Sequence, residues 1–392
     1  MRIVIDARLY SPQVAKGLGR YVQEVVNGLR SIDHDHQYII LLGKESYSSF
    51  IASENFQKVL APWRWYTLAE QIHLPRLLKR LEPDLVHFPH FNVPLLYRGK
   101  FIVTIHDLLL RHHHSRRATL LGPFLFWLKK LMYRLVVASA VRRTVKIIAV
   151  SEFTKSEIRR FYPRAVDKTA MIYEGVTALS PAINADDDNR LLLRYNVSTP
   201  FILYVGNCYP HKNLATALEA WRLICQQWAG SWLIVGRPDY FSQRLEREAR
   251  RRGFDETAVQ FVGYVPDSDL GAFYRQASCY LFPSLYEGFG LPPLEAMSHG
   301  TPVACSDIPC LREICGPAAA YFTPTDPASM AAVVTTLVTD QAVATRLRTA
   351  GPPWARRYSW LDCVRSHHDL YLHATSQQNQ QQKDSSHLGT RG

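Results

Sequence analysis

The first half of this 392-residue chain has no cysteine; all seven lie at or beyond Cys208. Several fall in apolar runs, which fits buried, reduced thiols and excludes a disulfide framework. Cys305, Cys310 and Cys315 lack zinc-finger spacing, so no metal is expected there. Also missing is a charge-free apolar run long enough to cross a bilayer, because Lys129-Lys130 interrupts the best candidate. The opening Met-Arg-Ile-Val-Ile-Asp reads as a strand and not as a signal peptide. The expectation is a cytoplasmic protein, peripheral at most on the inner face of the cell membrane.

Acidic residues are absent from 108–151, a stretch that carries nine Lys and Arg, from Arg111, Arg116 and Arg117 to Arg142, Arg143 and Lys146. Between them stand Phe124, Phe126, Trp127, Leu128, Leu131 and Met132. Basic residues mixed with bulky apolar ones describe an interfacial helix. Two readings stay open: a helix whose apolar side packs on its own domain, or an anionic-membrane face over residues 111–146. Nucleic acid is not an expected partner. Through residue 175 there are 27 Lys and Arg against 14 Asp and Glu, and beyond it 19 against 20. The basic excess therefore belongs to the N-terminal half.

Elsewhere apolar runs alternate with helical patterns. Strands are expected at Arg2–Leu9, Tyr38–Leu42, Leu85–Pro89, Phe101–Ile105, Lys146–Val150 and Ala170–Glu174. In the second half they are expected at Pro200–Val205, Trp232–Val235, Val259–Val262, Cys279–Phe282, Pro302–Cys305 and Ala320–Thr323. Leu18, Tyr21, Val22, Val25, Val26 and Leu29 make one helical face. Alternating β and α with near-continuous apolar strands implies an α/β chain of two doubly wound, Rossmann-like domains with parallel sheets. The expected division is an N-terminal acceptor-binding domain at 1–176, a linker at 177–190 and a C-terminal nucleotide-sugar domain at 191–358. A helix at 359–373 crosses back to the first domain, and a disordered tail occupies 374–392.

One segment stands out: Pro283-Ser284-Leu285-Tyr286-Glu287-Gly288-Phe289-Gly290-Leu291-Pro292-Pro293-Leu294-Glu295-Ala296-Met297. A strand leads into a glycine turn and then a helix with proline in its first turn, a geometry that aims backbone N–H groups at an anion. Glu287 and Glu295 bracket the turn, and carboxylates there can accept hydrogen bonds from sugar hydroxyls. The segment resembles the signature of retaining glycosyltransferases of family 4. Tyr204-Val205-Gly206-Asn207 with Pro210-His211-Lys212-Asn213-Leu214, Leu233-Ile234-Val235-Gly236, Phe261-Val262-Gly263-Tyr264-Val265 and Gly300-Thr301-Pro302-Val303 extend the likeness over about 200–325. Gly17-Leu18-Gly19-Arg20-Tyr21, His106-Asp107 and Ser151-Glu152-Phe153-Thr154 extend it more loosely into the first half.

That resemblance implies the GT-B arrangement, two such domains facing a cleft, and transfer of a hexose, mannose above all, to a lipid-linked or polysaccharide acceptor. The donor would be a nucleotide diphosphate sugar, with GDP-mannose expected and no further cofactor. By the same likeness Glu295 holds the nucleotide ribose, Glu287 lies near the donor sugar and His106 lies beside the reacting centre. Lys212, the helix starting near Asn213 and the amides of Gly288, Phe289, Gly290 and Leu291 would stabilise the departing diphosphate. Gly17, Gly206, Asn207, Gly263, Tyr264 and Val265 complete the expected donor site. Asn207 stands where family members often carry arginine, so His211 or Arg237 is a candidate for the missing charge.

No carboxylate pair is identified as a metal-holding Asp-x-Asp in the C-terminal half. Asp186-Asp187-Asp188 falls in the linker and reads as a solvated loop, so a metal-independent reaction is expected. His112-His113-His114 reads as solvated and weakly basic, and Asp107 as orienting its loop. The rival classes are a GT-B phosphorylase, which needs a pyridoxal-phosphate lysine in a longer chain, and a non-catalytic anion-binding protein.

Overall fold

A computed structural model describes residues 1–10, 17–112, 123–177 and 185–388. It divides into two compact units. One is built from Met1–Leu110, Leu121–Gly175 and Ser359–Gly392, the other from Arg111–Leu120 and Val176–Tyr358.

The first unit holds seven parallel strands: β1 (Arg2–Asp6), β2 (Gln37–Leu42), β3 (Phe56–Leu60), β4 (Leu85–Phe88), β5 (Phe101–Ile105), β6 (Lys146–Ala149) and β7 (Thr169–Met171). Their order is β3-β2-β1-β4-β5-β6-β7. The second unit holds β8 (Phe201–Val205), β9 (Ser231–Val235), β10 (Val259–Gly263), β11 (Cys279–Phe282), β12 (Val303–Ser306) and β13 (Ala319–Phe322), in the order β10-β9-β8-β11-β12-β13. Both orders reverse direction once, at β1/β4 and at β8/β11. Connections leave towards opposite faces there, which opens a crevice at the carboxyl ends of the strands.

Local chemistry explains several departures from the sequence pattern. β1 stops at Asp6 because the Ala7 N–H bonds back to Ile5 O and the Tyr10 N–H to Ala7 O. β3 is an edge strand with Gln57 and Lys58 in it and only Phe56 buried, so it shows no apolar run. Asp186, Asp187 and Asp188 are not a solvated loop. They form the first turn of the helix Ala185–Arg194, where carboxylates favour the positive end of the helix dipole. Asp188 is buried and accepts from Arg275 at 2.5 and 2.7 Å. The rest of the expected linker, 178–184, lies outside the described residues. Gln341–Ala355 is helical through Pro352 and Pro353.

The last helix, Trp360–Leu388, runs past the expected end at 373 into the stretch expected to be disordered. Gln, Lys and Ser there offer no Pro or Gly to stop it before Gly389. This helix belongs to the first unit and packs on Leu18–Ile32. Cys363, Val364, Tyr371 and Ala374 enter the core that Tyr21, Val22, Val25, Val26 and Leu29 share with β1 and β2. A buried polar chain ties it down. The Tyr371 hydroxyl meets His87 Nδ1 at 2.7 Å and His87 Nε2 meets Thr104 Oγ1 at 2.9 Å. Thr104 Oγ1 lies 2.9 Å from the Tyr21 hydroxyl, which lies 2.6 Å from His367 Nε2. Burial pushes the His87 ring well below the usual imidazole range and His367 down to about 4, so both are neutral at pH 7.

The helix Pro123–Arg143 is apolar on two sides. Tyr133, Val137, Ala140 and Val141 are buried in the first unit's core, whereas Trp127, Leu128, Leu131, Met132 and Leu135 face solvent. Exposed Arg134 and Arg142 flank that outer stripe. Residues 113–122, with Arg116, Arg117 and Leu120, lie outside the described residues. No helix among the described residues is long and apolar enough to cross a membrane.

Candidate functional site

In the second unit the β8/β11 switch point collects most of the expected residues. β8 ends in Gly206 (φ +151°), β9 in Gly236, and β10 in Gly263 (φ +83°). The Gly206 N–H donates to Val235 O and the Gly236 N–H to Gly263 O, each at 2.9 Å. A Cβ on Gly236 would stand 2.1 Å from Gly206 O, so only glycine lets these strand ends close up. Beneath them Tyr204 donates to Asn207 O at 2.6 Å, which sets the path of the exposed Asn207 loop. Val265 is fully buried, which leaves only its backbone available to a ligand, and Tyr264 lies under the Arg237 guanidinium at 5.2 Å.

After Gly206 the chain makes a short 3-10 turn, Pro210–Lys212, before the helix Leu214–Ile224. The left-handed Asn213 (φ +61°) joins them, and its side chain donates to Pro324 O at 2.7 Å. The β11 loop docks on the same turn, with the Leu285 N–H donating to His211 O at 2.8 Å. That contact carries Glu287 to Lys212, and Nζ lies 2.6 Å from Glu287 Oε1, both side chains about one-seventh exposed. The ammonium also sits 5.2 Å from the Phe282 ring.

Gly290 (φ +122°) then caps the helix Leu291–Ser298 without a side-chain cap, so neither glutamate serves as its N-cap. The Gly288, Phe289 and Gly290 turn is packed from behind. Cys310 Sγ lies 3.0 Å from Phe289 O, and Leu311 Cδ2 would touch a Cβ at Gly290 at 3.0 Å. Glu295, on that helix, accepts from the Tyr274 hydroxyl at 3.0 Å. Tyr274 is itself buried, with its carbonyl taken by Thr301 and its ring stacked on His299 at 5.5 Å. A cation, a carboxylate beside it, open glycine edges and a second, positioned carboxylate can hold an anion together with the hydroxyls attached to it.

The sequence reading passed over Ser284, whose hydroxyl is buried without a hydrogen-bond partner among the described residues. It also passed over Asp267-Ser268-Asp269, a pair with Asp-x-Asp spacing. These residues open the helix Asp267–Gln276 after Pro266, where Asp269 accepts from the Tyr195 and Ser268 hydroxyls at 2.6 and 2.9 Å. The positive end of the helix dipole favours both carboxylates and two hydroxyls engage Asp269, which gives the pair a structural use.

In the first unit Gly17 (φ +54°) precedes the helix Leu18–Ile32 in a conformation that suits glycine, with open space where a Cβ would point. His106, at the end of β5, is more enclosed than the sequence suggests. Nδ1 faces Glu174 Oε1 at 2.8 Å, Nε2 faces Pro89 O at 3.0 Å, and the ring meets Tyr21 edge-on at 4.6 Å. Both nitrogens are engaged, so contact with a sugar requires His106 to exchange one of these partners. Asp107 accepts from the Leu109 N–H at 2.9 Å and fixes its own loop. His112, which belongs to the second unit, is half-buried with its ring 5.1 Å from that of Tyr286, and His113 and His114 fall outside the described residues.

A buried ionic cluster at the end of β1 was also missed. Arg8 grips Asp6 through Nε at 2.7 Å and Nη2 at 2.6 Å, and reaches Glu70 at 2.7 Å. Burial opposes its charge, but the two carboxylates outweigh that and raise the guanidinium above its ordinary value. Asn92 donates to both Glu70 oxygens at 2.9 and 3.0 Å. The nearby His90 is held down at about 3 by burial and then by His106.

Residues 190–354 match the family model for group 1 glycosyl transferases, and residues 15–178 match that for Glycosyltransferase Family 4. The chain is 26% identical over 369 residues to the O-antigen chain mannosyltransferase B of Escherichia coli, covering 89% of this chain and 93% of that one. It is 28% identical over 273 residues to the O-antigen chain mannosyltransferase RfbU of Salmonella typhimurium, covering 68% of each. Its fold matches that of a sucrose-phosphate synthase from Thermosynechococcus elongatus with a TM-score of 0.78 at 19% identity, over 96% of this chain and 99% of that one.

Proposed function

The chain belongs to glycosyltransferase family 4 and has the GT-B fold of two doubly wound domains; from that premise we propose that it is a retaining mannosyltransferase of cell-surface glycan synthesis. The donor is a nucleotide diphosphate sugar, GDP-mannose by chemical class, and the acceptor a lipid-linked or growing polysaccharide. Support for mannose comes from the O-antigen mannosyltransferases that this chain resembles along most of its length.

The observation that carries the reading is the Lys212–Glu287 contact at the second unit's switch point. Two loops 75 residues apart in sequence bring a cation for the leaving diphosphate against a carboxylate for the sugar hydroxyls. As the C1–phosphate oxygen bond breaks, the acceptor oxygen bonds to C1 from the same face. The acceptor proton passes to the departing phosphate oxygen. Lys212 and the amides of Gly288 to Leu291 hold the charge that develops on that oxygen, while Glu295, steadied by Tyr274, keeps the ribose in place. The reaction proceeds without a metal.

The outer stripe of Pro123–Arg143 gives the protein a peripheral seat on the cytoplasmic membrane face. Trp127, Leu131 and Leu135 enter the acyl boundary, and the acid-free basic segment 111–146 meets anionic headgroups. A thermal-shift series of nucleotide diphosphates and nucleotide sugars tests the donor assignment. GDP and GDP-mannose should raise the melting temperature of wild type and not of Lys212→Ala. Equal shifts in both proteins, or none with any nucleotide, would remove the donor site from this switch point.

A further inference from the structure

We propose that Asp33, His36 and His368 form a binding site for one divalent transition-metal ion of the zinc class, which fastens the last helix to the first unit. Asp33 follows the helix Leu18–Ile32, His36 precedes β2, and His368 lies on Trp360–Leu388. Nothing in the sequence reading joined them, because 332 positions separate His36 from His368.

The donor atoms of the three side chains all lie within 4.8 Å of one another. His36 Nδ1 is 2.9 Å and His368 Nε2 is 3.0 Å from the same oxygen, Asp33 Oδ2. In a tetrahedral zinc site with bonds of about 2.0–2.1 Å, neighbouring donors stand about 3.3–3.4 Å apart. The two aspartate–histidine distances reach that spacing with shifts of a few tenths of an ångström, and no two of the three donors are more than 4.8 Å apart.

Hydrogen bonding alone leaves the cluster incomplete. A carboxylate offers about four acceptor positions. Three are taken, by the Asp35 and His36 N–H groups on Oδ1 and by the Tyr38 hydroxyl on Oδ2 at 2.6 Å. Two imidazole nitrogens then compete for one remaining position. His36 makes the bond, while His368 Nε2 is buried with no hydrogen-bond partner. One cation at the point where Oδ2, Nδ1 and Nε2 converge satisfies all three and leaves a fourth position for water.

Imidazole and carboxylate suit zinc and its neighbours, and the Tyr38 hydroxyl supplies the outer hydrogen bond that orients a ligating carboxylate. The site lies at the amino end of β2, the edge of the sheet opposite the strand ends that carry His106 and Arg8. Its effect is therefore structural.

The test uses the full chain, stripped with a chelator, desalted and given zinc chloride. Wild type should retain about one zinc per chain after dialysis. Its melting temperature should rise by about 5–10 °C with free zinc a hundredfold above the dissociation constant. His36→Gln and His368→Gln should each lose both responses while melting near wild type in chelator. Zinc retained equally by the variants, for instance on the His112–His114 tract, would overturn the proposal. So would a wild-type melting temperature indifferent to zinc, which would leave the cluster an ordinary charge network.

Discussion

Replacing Lys212 with alanine tests the catalytic reading most directly. Two unit charges 2.6 Å apart attract by about 6 kcal/mol at an effective dielectric of about 20, an upper bound because each side chain keeps some contact with water. Removing the ammonium leaves Glu287 facing the place where a diphosphate must lie. Two losses follow: the stabilisation of the leaving group, and a new repulsion of the donor. Loss of one positioned charge of this kind costs about 3–4 kcal/mol in the transition state, so kcat/KM should fall about 100- to 1000-fold. Thermal unfolding should shift by only a few degrees, because the pair is partly solvated. Transfer of labelled sugar to the acceptor measures the first quantity and calorimetry the second. The double variant Lys212→Met with Glu287→Gln separates the two causes. If Lys212 merely neutralises Glu287, binding of GDP, which lacks the sugar that Glu287 contacts, returns in the double variant; if it holds the diphosphate, GDP binding stays weak. A single variant within tenfold of wild type, or full recovery of GDP binding in the double variant, would refute the assignment.

Three further outcomes are expected. Because the folded-state His367 titrates at about 4 against about 6.5 when free, its neutral burial stabilises fully above about pH 6.5 and less as pH falls. Urea unfolding should show about 2 kcal/mol lost from this residue between pH 7.5 and pH 5, and an unchanged stability over that range would count against the neutral polar chain. Arg8→Met strands Asp6 and Glu70 in the interior and should cost about 3–5 kcal/mol, with part recovered by adding Glu70→Gln; equilibrium denaturation decides, and a loss below about 1 kcal/mol would contradict the buried cluster. Trp127→Glu combined with Leu131→Glu should abolish sedimentation with anionic vesicles while leaving transfer to a soluble acceptor unchanged, and equal wild-type binding to neutral vesicles would argue against headgroup recognition.

The parts of the molecule that were legible in the sequence are those where local pattern and tertiary burial agree. Phe201–Val205 and Cys279–Phe282 are buried along their whole length, so an apolar run marks them. The stripe of Leu18–Ile32 is legible for the same reason. β3 escaped because an edge strand keeps Gln57 and Lys58 on view, and Gln341–Ala355 because two prolines normally end a helix. The site divides along similar lines. Gly206, Gly263, Glu287 and Glu295 announce themselves through turn chemistry. The hold of Glu174 on His106, 68 residues away, and that of Tyr274 on Glu295 are products of topology, with no trace in either segment alone.

The course of the last helix constrains how this protein emerges from the ribosome. Apart from Arg111–Leu120, made earlier, the second unit is one continuous piece, Val176–Tyr358, and can assemble as soon as that piece clears the exit tunnel. The earlier-made domain must wait, because His367, Tyr371 and Ala374 finish its interior and are synthesised only after Val176–Tyr358. Nascent chains stalled before residue 374 should therefore present an open N-terminal half to chaperones, and C-terminal deletions reaching Tyr371 should damage the opposite end of the polypeptide.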